Sequence, residues 1–276
     1  PAGDRVDLPD EEMPQAALFV SLASHLGEGH ILQNMLDPSV VDEHEPDSHD
    51  PDLDMYNPAN GHKPWPEATH YEPDWVAHYR EAQAARAHRI DALARQCLNE
   101  RRTMAALARS PALEGLDPAQ QIWIQRRGQF HRFLTIYRTV ANPAYLDPSI
   151  DASARPLGTI FAPNDPMLSN WGVGGPGRVL TPRGWLSTWS GPSSRAGFLE
   201  TIGDVTLPTL ILAADGDTDI YPAQQQQLLN ASGAVDKELQ FLEQASHFLT
   251  PPANVPDAPT RVNELPTSSS PGSANA

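Results

Sequence analysis

A run of five apolar residues, Leu210 to Ala214, follows Pro208 and stops abruptly at three acids, Asp215, Asp217 and Asp219. An unbroken apolar run this short fits a strand buried on both faces of a parallel sheet. Gln224 to Leu229 then reads as a helix and Lys237 to Leu242 as a second strand with alternating polarity, with His247 just past its C-terminal end. Strand, helix and strand in succession predict parallel pairing. Ligands in open α/β sheets bind outside the carboxyl ends of the strands, which places the acids and His247 at one functional rim.

The order Ala214-Asp-Gly-Asp217, then Pro222, a strand, and Ser246-His247 resembles the C-terminal end of the α/β-hydrolase family, whose triad runs Ser, then Asp or Glu, then His along the chain. The resemblance covers Leu207 to Pro251, with a weaker match near the start. It implies that Asp217 is the acid and His247 the general base. Asp217 fits because it lies three residues after Ala214, a position usually occupied in the family by a small residue. Asp215 and Asp219 remain alternatives.

Upstream, Pro1 to Met13 is polar and acidic and reads as a surface connection, while Gln15 to Ala23 carries the apolar run Ala16 to Val20 and reads as a third buried strand. Ser24 follows it but is flanked by Leu22 and Leu26, where a nucleophile elbow needs small residues. His25 and His30 are five apart, which is no metal-ligand spacing; His25 is carried as a candidate substrate-binding residue. Asp50, Asp52 and Asp54 alternate like the start of an EF-hand loop, but Met55 stands where that loop needs Gly and Gly61 where it needs Glu. The stretch from Asp37 to Asp54 therefore reads as a solvated, proline-stiffened loop, and no metal site is expected. Within it, Leu36 to Glu43, together with Leu53 to Pro58, resembles a bacterial subgroup of these hydrolases.

From Pro73 to about Arg109 the apolar residues Trp75, Tyr79, Ala82, Ile90, Leu93 and Cys97 recur at helical steps, interrupted at Arg86. Asp117-Pro118 predicts an N-cap and first turn of another helix, through Ile122 and Ile124 and on from Phe130 to Tyr137. Asn142 to Pro192 has no sustained period, and Gly172 to Gly177 lacks the strand and the Lys-Ser or Lys-Thr of a phosphate loop. All six tryptophans fall between Asp37 and Gly197. Trp185 and Trp189, four apart, would share one face of a helical turn, and at least one of the two candidate substrate-binding indoles is expected to wall a substrate pocket.

No Gly-x-Ser-x-Gly occurs in the chain, nor a His-Gly-Gly donor loop. The expected fold class is α/β: a partial α/β-hydrolase parallel sheet with a large, mostly helical and irregular cap insertion. Residues 1–36 are expected as a core segment with one strand, 37–197 as the cap, 198–252 as the core segment with the last two strands, and 253–276 as a disordered tail. The function implied is a serine-type hydrolase of a carboxylic ester or related acyl bond, inactive as this chain alone. Two alternatives are a haloalkane dehalogenase or epoxide hydrolase of the same fold, and a non-catalytic binding module. Expected partners are a small-molecule substrate and a missing N-terminal segment carrying the nucleophile. No cofactor is expected.

Composition narrows the partners. A net charge of −16 repels phosphate backbones and anionic membranes, so neither nucleic acid nor membrane is expected. Cys97 is the single cysteine, which rules out an internal disulfide. With no signal-peptide pattern, a cytoplasmic location is expected.

Overall fold

The computed structural model describes residues 16–45, 47–162 and 164–262. The surface connection expected over Pro1 to Met13, and residues 263–276 of the expected tail, lie outside the described residues. In chain order the elements are β1 (Phe19–Leu22), α1 (Glu28–Met35), α2 (Pro73–Leu107), α3 (Pro118–Gln129), β2 (Leu134–Thr135), α4 (Pro166–Trp171) and β3 (Val179–Leu180). Next come α5 (Pro182–Gly184), which runs into a π-helical turn (Trp185–Trp189), then α6 (Phe198–Thr201), β4 (Thr209–Ala214), α7 (Pro222–Ala231) and β5 (Lys237–Leu242).

The architecture is mixed α/β. β1, β4 and β5 form one parallel sheet in that spatial order, with Val20 opposite Leu210 and Leu210 opposite Glu238. The strand expected over Gln15 to Ala23 is present in shorter form, and the two strands flanking α7 pair as their alternation predicts. One face of the sheet packs on α6 and α7. Ile211 meets Ile202 and Leu228, with Phe198, Leu229 and Leu239 around them. Ile202, Ile211 and Leu228 are fully buried, and full burial of such a side chain contributes about 1.5–3 kcal/mol. On the other face Val20 and Leu22 are 39% and 40% exposed, and neighbouring Leu18 is 57% exposed.

The stretch between β1 and α6 builds its own core. Tyr56, Tyr71, Tyr79 and Tyr145 pack with Met35, Met55 and Val140 in one cluster, and each hydroxyl of the first three donates to a backbone carbonyl. Leu32, Leu36, Ile90, Cys97, Ile136 and Trp185 form a second cluster. Cys97 is buried there, as its place in the helical pattern predicts. α1 contributes to both clusters, Met35 to the first and Leu32 to the second.

α2 is a single helix of 35 residues, and the interruption expected at Arg86 is not a break. Arg86 is fully buried. Its fork binds both carboxylate oxygens of Glu43 at 2.9 Å and donates to the carbonyls of Asp37 and Tyr137 at 2.8 Å. A guanidinium can occupy an apolar face only when paired and saturated with acceptors in this way. The same network corrects the reading of Asp37 to Asp54 as solvated throughout. Asp37, Ser39 and Val40 are buried; Asp37 accepts from Ser39 and from Asn170, and Arg138 donates to Ser39 Oγ and to the Ser48 carbonyl. Asp50 and Asp54 cap short turns by accepting from the amides of Asp52 and Tyr56.

α3 begins as expected, with Asp117 accepting from Ala119 and Gln120 and Pro118 in the first turn, but it ends at Gln129. Beyond it the chain turns extended, and β2 pairs antiparallel with β3 instead of continuing the helix to Tyr137. The expectation of a disordered tail from residue 253 also fails for its first ten residues. Asn254 Nδ2 donates to Ala154 O and the Arg261 amide to Leu249 O, which pins 253–262 to the body. Among the described residues no helix is long and apolar enough to cross a membrane.

Candidate active site

The C-terminal ends of β4 and β5 are stitched together at the rim. The Asp215 amide donates to Leu242 O at 3.2 Å and the Gly216 amide to Ala245 O at 2.9 Å. Gly216 is required by this approach, since a Cβ there would lie 2.8 Å from Ala245 O and 2.7 Å from Pro252 Cγ. The turn after β4 thus lies flat against the loop after β5, and the side chains that follow each strand meet.

Asp217 is almost fully buried, and its Oδ1 accepts from the amides of Asp219 (2.9 Å) and Ile220 (3.1 Å). Its Oδ2 lies 2.8 Å from His247 Nδ1. An ionised carboxylate only accepts, so Nδ1 carries the proton and Nε2 presents its lone pair. Among the described residues Nε2 has no hydrogen-bonding partner. The His247 ring is held by a tight turn, in which the Ser246 amide donates to Thr250 O and the Leu249 amide to Ser246 O. Phe248 stands edge-on to it at 5.0 Å and is two-thirds exposed. The hydrogen bond to Asp217 raises the His247 pKa above the ordinary imidazole value; burial opposes this, and the charges of Asp217 and Asp219 add to it.

Neither of the other two acids reaches His247. Asp219 faces away, accepting from Thr159 Oγ1 at 2.5 Å, Thr218 Oγ1 at 2.7 Å and the Ile160 amide at 2.9 Å. Burial raises its pKa, against the lowering effect of those donors. It is a tether that fastens residues 159–160 to the rim. Beside it, Tyr221 donates to Thr218 O, accepts from Asn142 and lies 4.6 Å beneath the Arg155 guanidinium. Thr159, Asn142 and Arg155 carry no periodicity or motif, so nothing in the linear pattern marks them as neighbours of the rim.

None of the expected binding residues hydrogen-bonds or stacks with this pair. His25 follows β1, but its Nδ1 accepts from the Gly27 amide at 3.1 Å and its Nε2 is 3.6 Å from Glu28, so it serves the start of α1. Trp185 is fully buried in the second core cluster, and its Nε1 donates to Asp91 Oδ1 at 2.7 Å. Trp185 thus serves the core beside Leu32, Ile90 and Ile136 and walls no open pocket, which leaves Trp189 to carry the expectation that at least one of the two does. Trp189 packs half-buried against the same cluster. The turn that carries both is π-helical, closed by the Ser190 amide on Trp185 O, so spacing of four does not align the two rings as in an α-helix. Among the described residues no group of three His, Cys, Asp or Glu side chains is arranged to hold a metal ion.

Comparison with protein-family models, with curated proteins and with solved structures finds no match to this chain.

Proposed function

We propose that this chain is the acid-and-base portion of a serine-type α/β-hydrolase acting on a carboxylic ester or related acyl bond, with residues 37–197 as its cap. The observation that carries the reading is the 2.8 Å contact from His247 Nδ1 to Asp217 Oδ2, made just past the C-terminal ends of two adjacent parallel strands. With Nδ1–H committed to the carboxylate, Nε2 is the nitrogen that moves protons. It takes the proton of an attacking serine hydroxyl as the serine oxygen bonds to the acyl carbon, then gives that proton to the alcohol oxygen as the ester C–O bond breaks. Water next attacks the acyl-serine. Nε2 takes the water's proton and returns it to the serine oxygen as the carboxylic acid leaves. Asp217 stays ionised throughout, holds the ring and stabilises the imidazolium.

The reading assigns the serine and the oxyanion donors to a polypeptide segment that associates with this chain, since no nucleophile elbow lies within it. The partly exposed apolar side chains of β1 support that assignment, because parallel sheets are normally covered on both faces. The test is labelling with a serine-directed fluorophosphonate of the longest polypeptide that contains this sequence. Labelling of one serine, lost in His247→Ala and absent from the present chain alone, is expected. A longer polypeptide that neither labels nor hydrolyses any ester of an acyl series sinks the proposal. An aspartate esterified at the equivalent position would move the chemistry to dehalogenase or epoxide-hydrolase type.

A further inference from the structure

Apart from the His247–Asp217 pair, α2 and the segment 183–195 enclose a cavity of about 710 Å³, within the usual range for small-molecule sites. Four of the chain's 17 arginines, Arg95, Arg102, Arg183 and Arg195, line it together with Ser187 and Ser193. The described lining includes no carboxylate, on a chain in which acids outnumber Lys and Arg 35 to 19. Guanidiniums brought together in one concavity repel each other unless an anion sits among them.

Among the described residues, the carboxylate nearest this place is already spent. Asp91, buried in α2 behind the cavity, accepts from Trp185 Nε1 (2.7 Å) and Ser190 Oγ (2.6 Å) through Oδ1, and from Arg95 (3.2 Å) and Ser193 Oγ through Oδ2. Four donors saturate it, so it positions Arg95 and the turn at Ser190–Ser193 without neutralising Arg102 or Arg195. The guanidiniums of Arg102 and Arg195 make no hydrogen bond or ion pair with any described residue.

We propose that this cavity binds a small phosphate monoester. Arginine forks match the oxygen geometry of such a group, and a dianion balances the cluster better than a single carboxylate does. Leu98 and Leu186 in the lining offer an apolar wall for the carbon skeleton of the ester. A nucleic-acid chain is excluded as occupant by the net charge of −16, which repels an extended polyanion while leaving the local field in the cavity positive. The site is independent of the hydrolase reading, since none of these residues hydrogen-bonds Asp217 or His247.

The experiment is calorimetric titration of the chain at low ionic strength with phenyl phosphate, inorganic phosphate and benzoate. Saturable one-to-one binding of phenyl phosphate is expected, weaker for inorganic phosphate and at least about tenfold weaker for benzoate, with affinity falling as salt is raised. The double variant Arg102→Gln/Arg195→Gln should lose at least about tenfold in affinity at an unchanged melting temperature, while Arg109→Gln, an arginine outside the cavity, and His247→Ala bind as the parent does. Absence of saturable phenyl phosphate binding overturns the proposal, as does benzoate binding equally well. Full affinity in the double variant overturns it too.

Discussion

At the scale of single residues, the rim works by dividing labour among three acids that the sequence presents side by side. Asp217 turns one oxygen to two backbone amides and the other to His247, which fixes both the carboxylate and the ring tautomer. Asp219 spends its oxygens on Thr159, Thr218 and the Ile160 amide. Two predictions follow from that division. In the proposed hydrolase, Asp217→Asn should lower the rate on the order of 10⁴-fold by releasing the wrong tautomer. It should also lower the His247 pKa, because the hydrogen bond that raises it goes while burial, which lowers it, stays; imidazole resonances followed through a pH titration report this directly. A folded-state pKa above the unfolded value gives stability that is full below the unfolded pKa and lost as pH rises through the folded one. The stability gap between parent and Asp217→Asn is therefore expected to be wider near about pH 6 than near about pH 9. A gap that grows with pH would contradict the raised pKa. For Asp219→Ala the expected cost is about 1–3 kcal/mol at neutral pH, from leaving the buried Thr159 hydroxyl and the part-buried Ile160 amide without this acceptor, read from urea unfolding.

At the scale of elements, α2 and α3 touch through a missing side chain. A Cβ on Gly128 would lie 2.8 Å from the Cα and the amide nitrogen of Ala105. Gly128→Ala gains up to about 1 kcal/mol in helix propensity, but backbone cannot rotate out of the way as a side chain can, and overpacking costs about 1–3 kcal/mol. The variant is expected to be the less stable one in urea unfolding; a more stable variant would show that the two helices part freely. The same comparison of local rule and tertiary contact explains what could be read in advance. β4, α7 and β5 were legible because an apolar run, a helix and an alternating strand each follow their own period, and the side chains of Asp217 and His247 meet because those strands are neighbours. Arg86 was not legible, since a charge on a helix's apolar face registers as a break until Glu43, distant in sequence, is seen to pair with it. The place of Trp185 was not legible for the converse reason: aromatic content says that a ring is buried or binding, and its burial and contact to Asp91 show which. α3 ended early because the chain after Phe130 found a pairing partner in β3, a non-local gain that helical pattern does not encode.

At the scale of the whole molecule, the sheet is open where the rest is closed. β4 lies between two partners, and its Ile211, Leu212, Ala213 and Ala214 are buried. Among the described residues β1 has a partner on one side only, and Leu18, Val20 and Leu22 are substantially exposed. An edge strand with apolar side chains and no guarding charge is a template for another strand. In the proposed hydrolase that strand belongs to the segment bearing the serine, and its pairing with β1 would set the nucleophile in line with the strand ends that carry Asp217 and His247. Replacing Val20 and Leu22 by lysine introduces charges at partly exposed positions, so the melting temperature of the chain alone should change little. Once a nucleophile-bearing segment is supplied in trans, however, the lysines would have to be buried beneath it at a cost of several kcal/mol per unpaired charge. Ester hydrolysis regained by mixing parent chain and segment is therefore expected to be lost with Val20→Lys/Leu22→Lys, and to return in part with Val20→Thr/Leu22→Thr, which keeps strand-compatible shapes without charge. Full recovery with the lysine pair would show that the added segment docks elsewhere and that the β1 edge is not where the sheet continues.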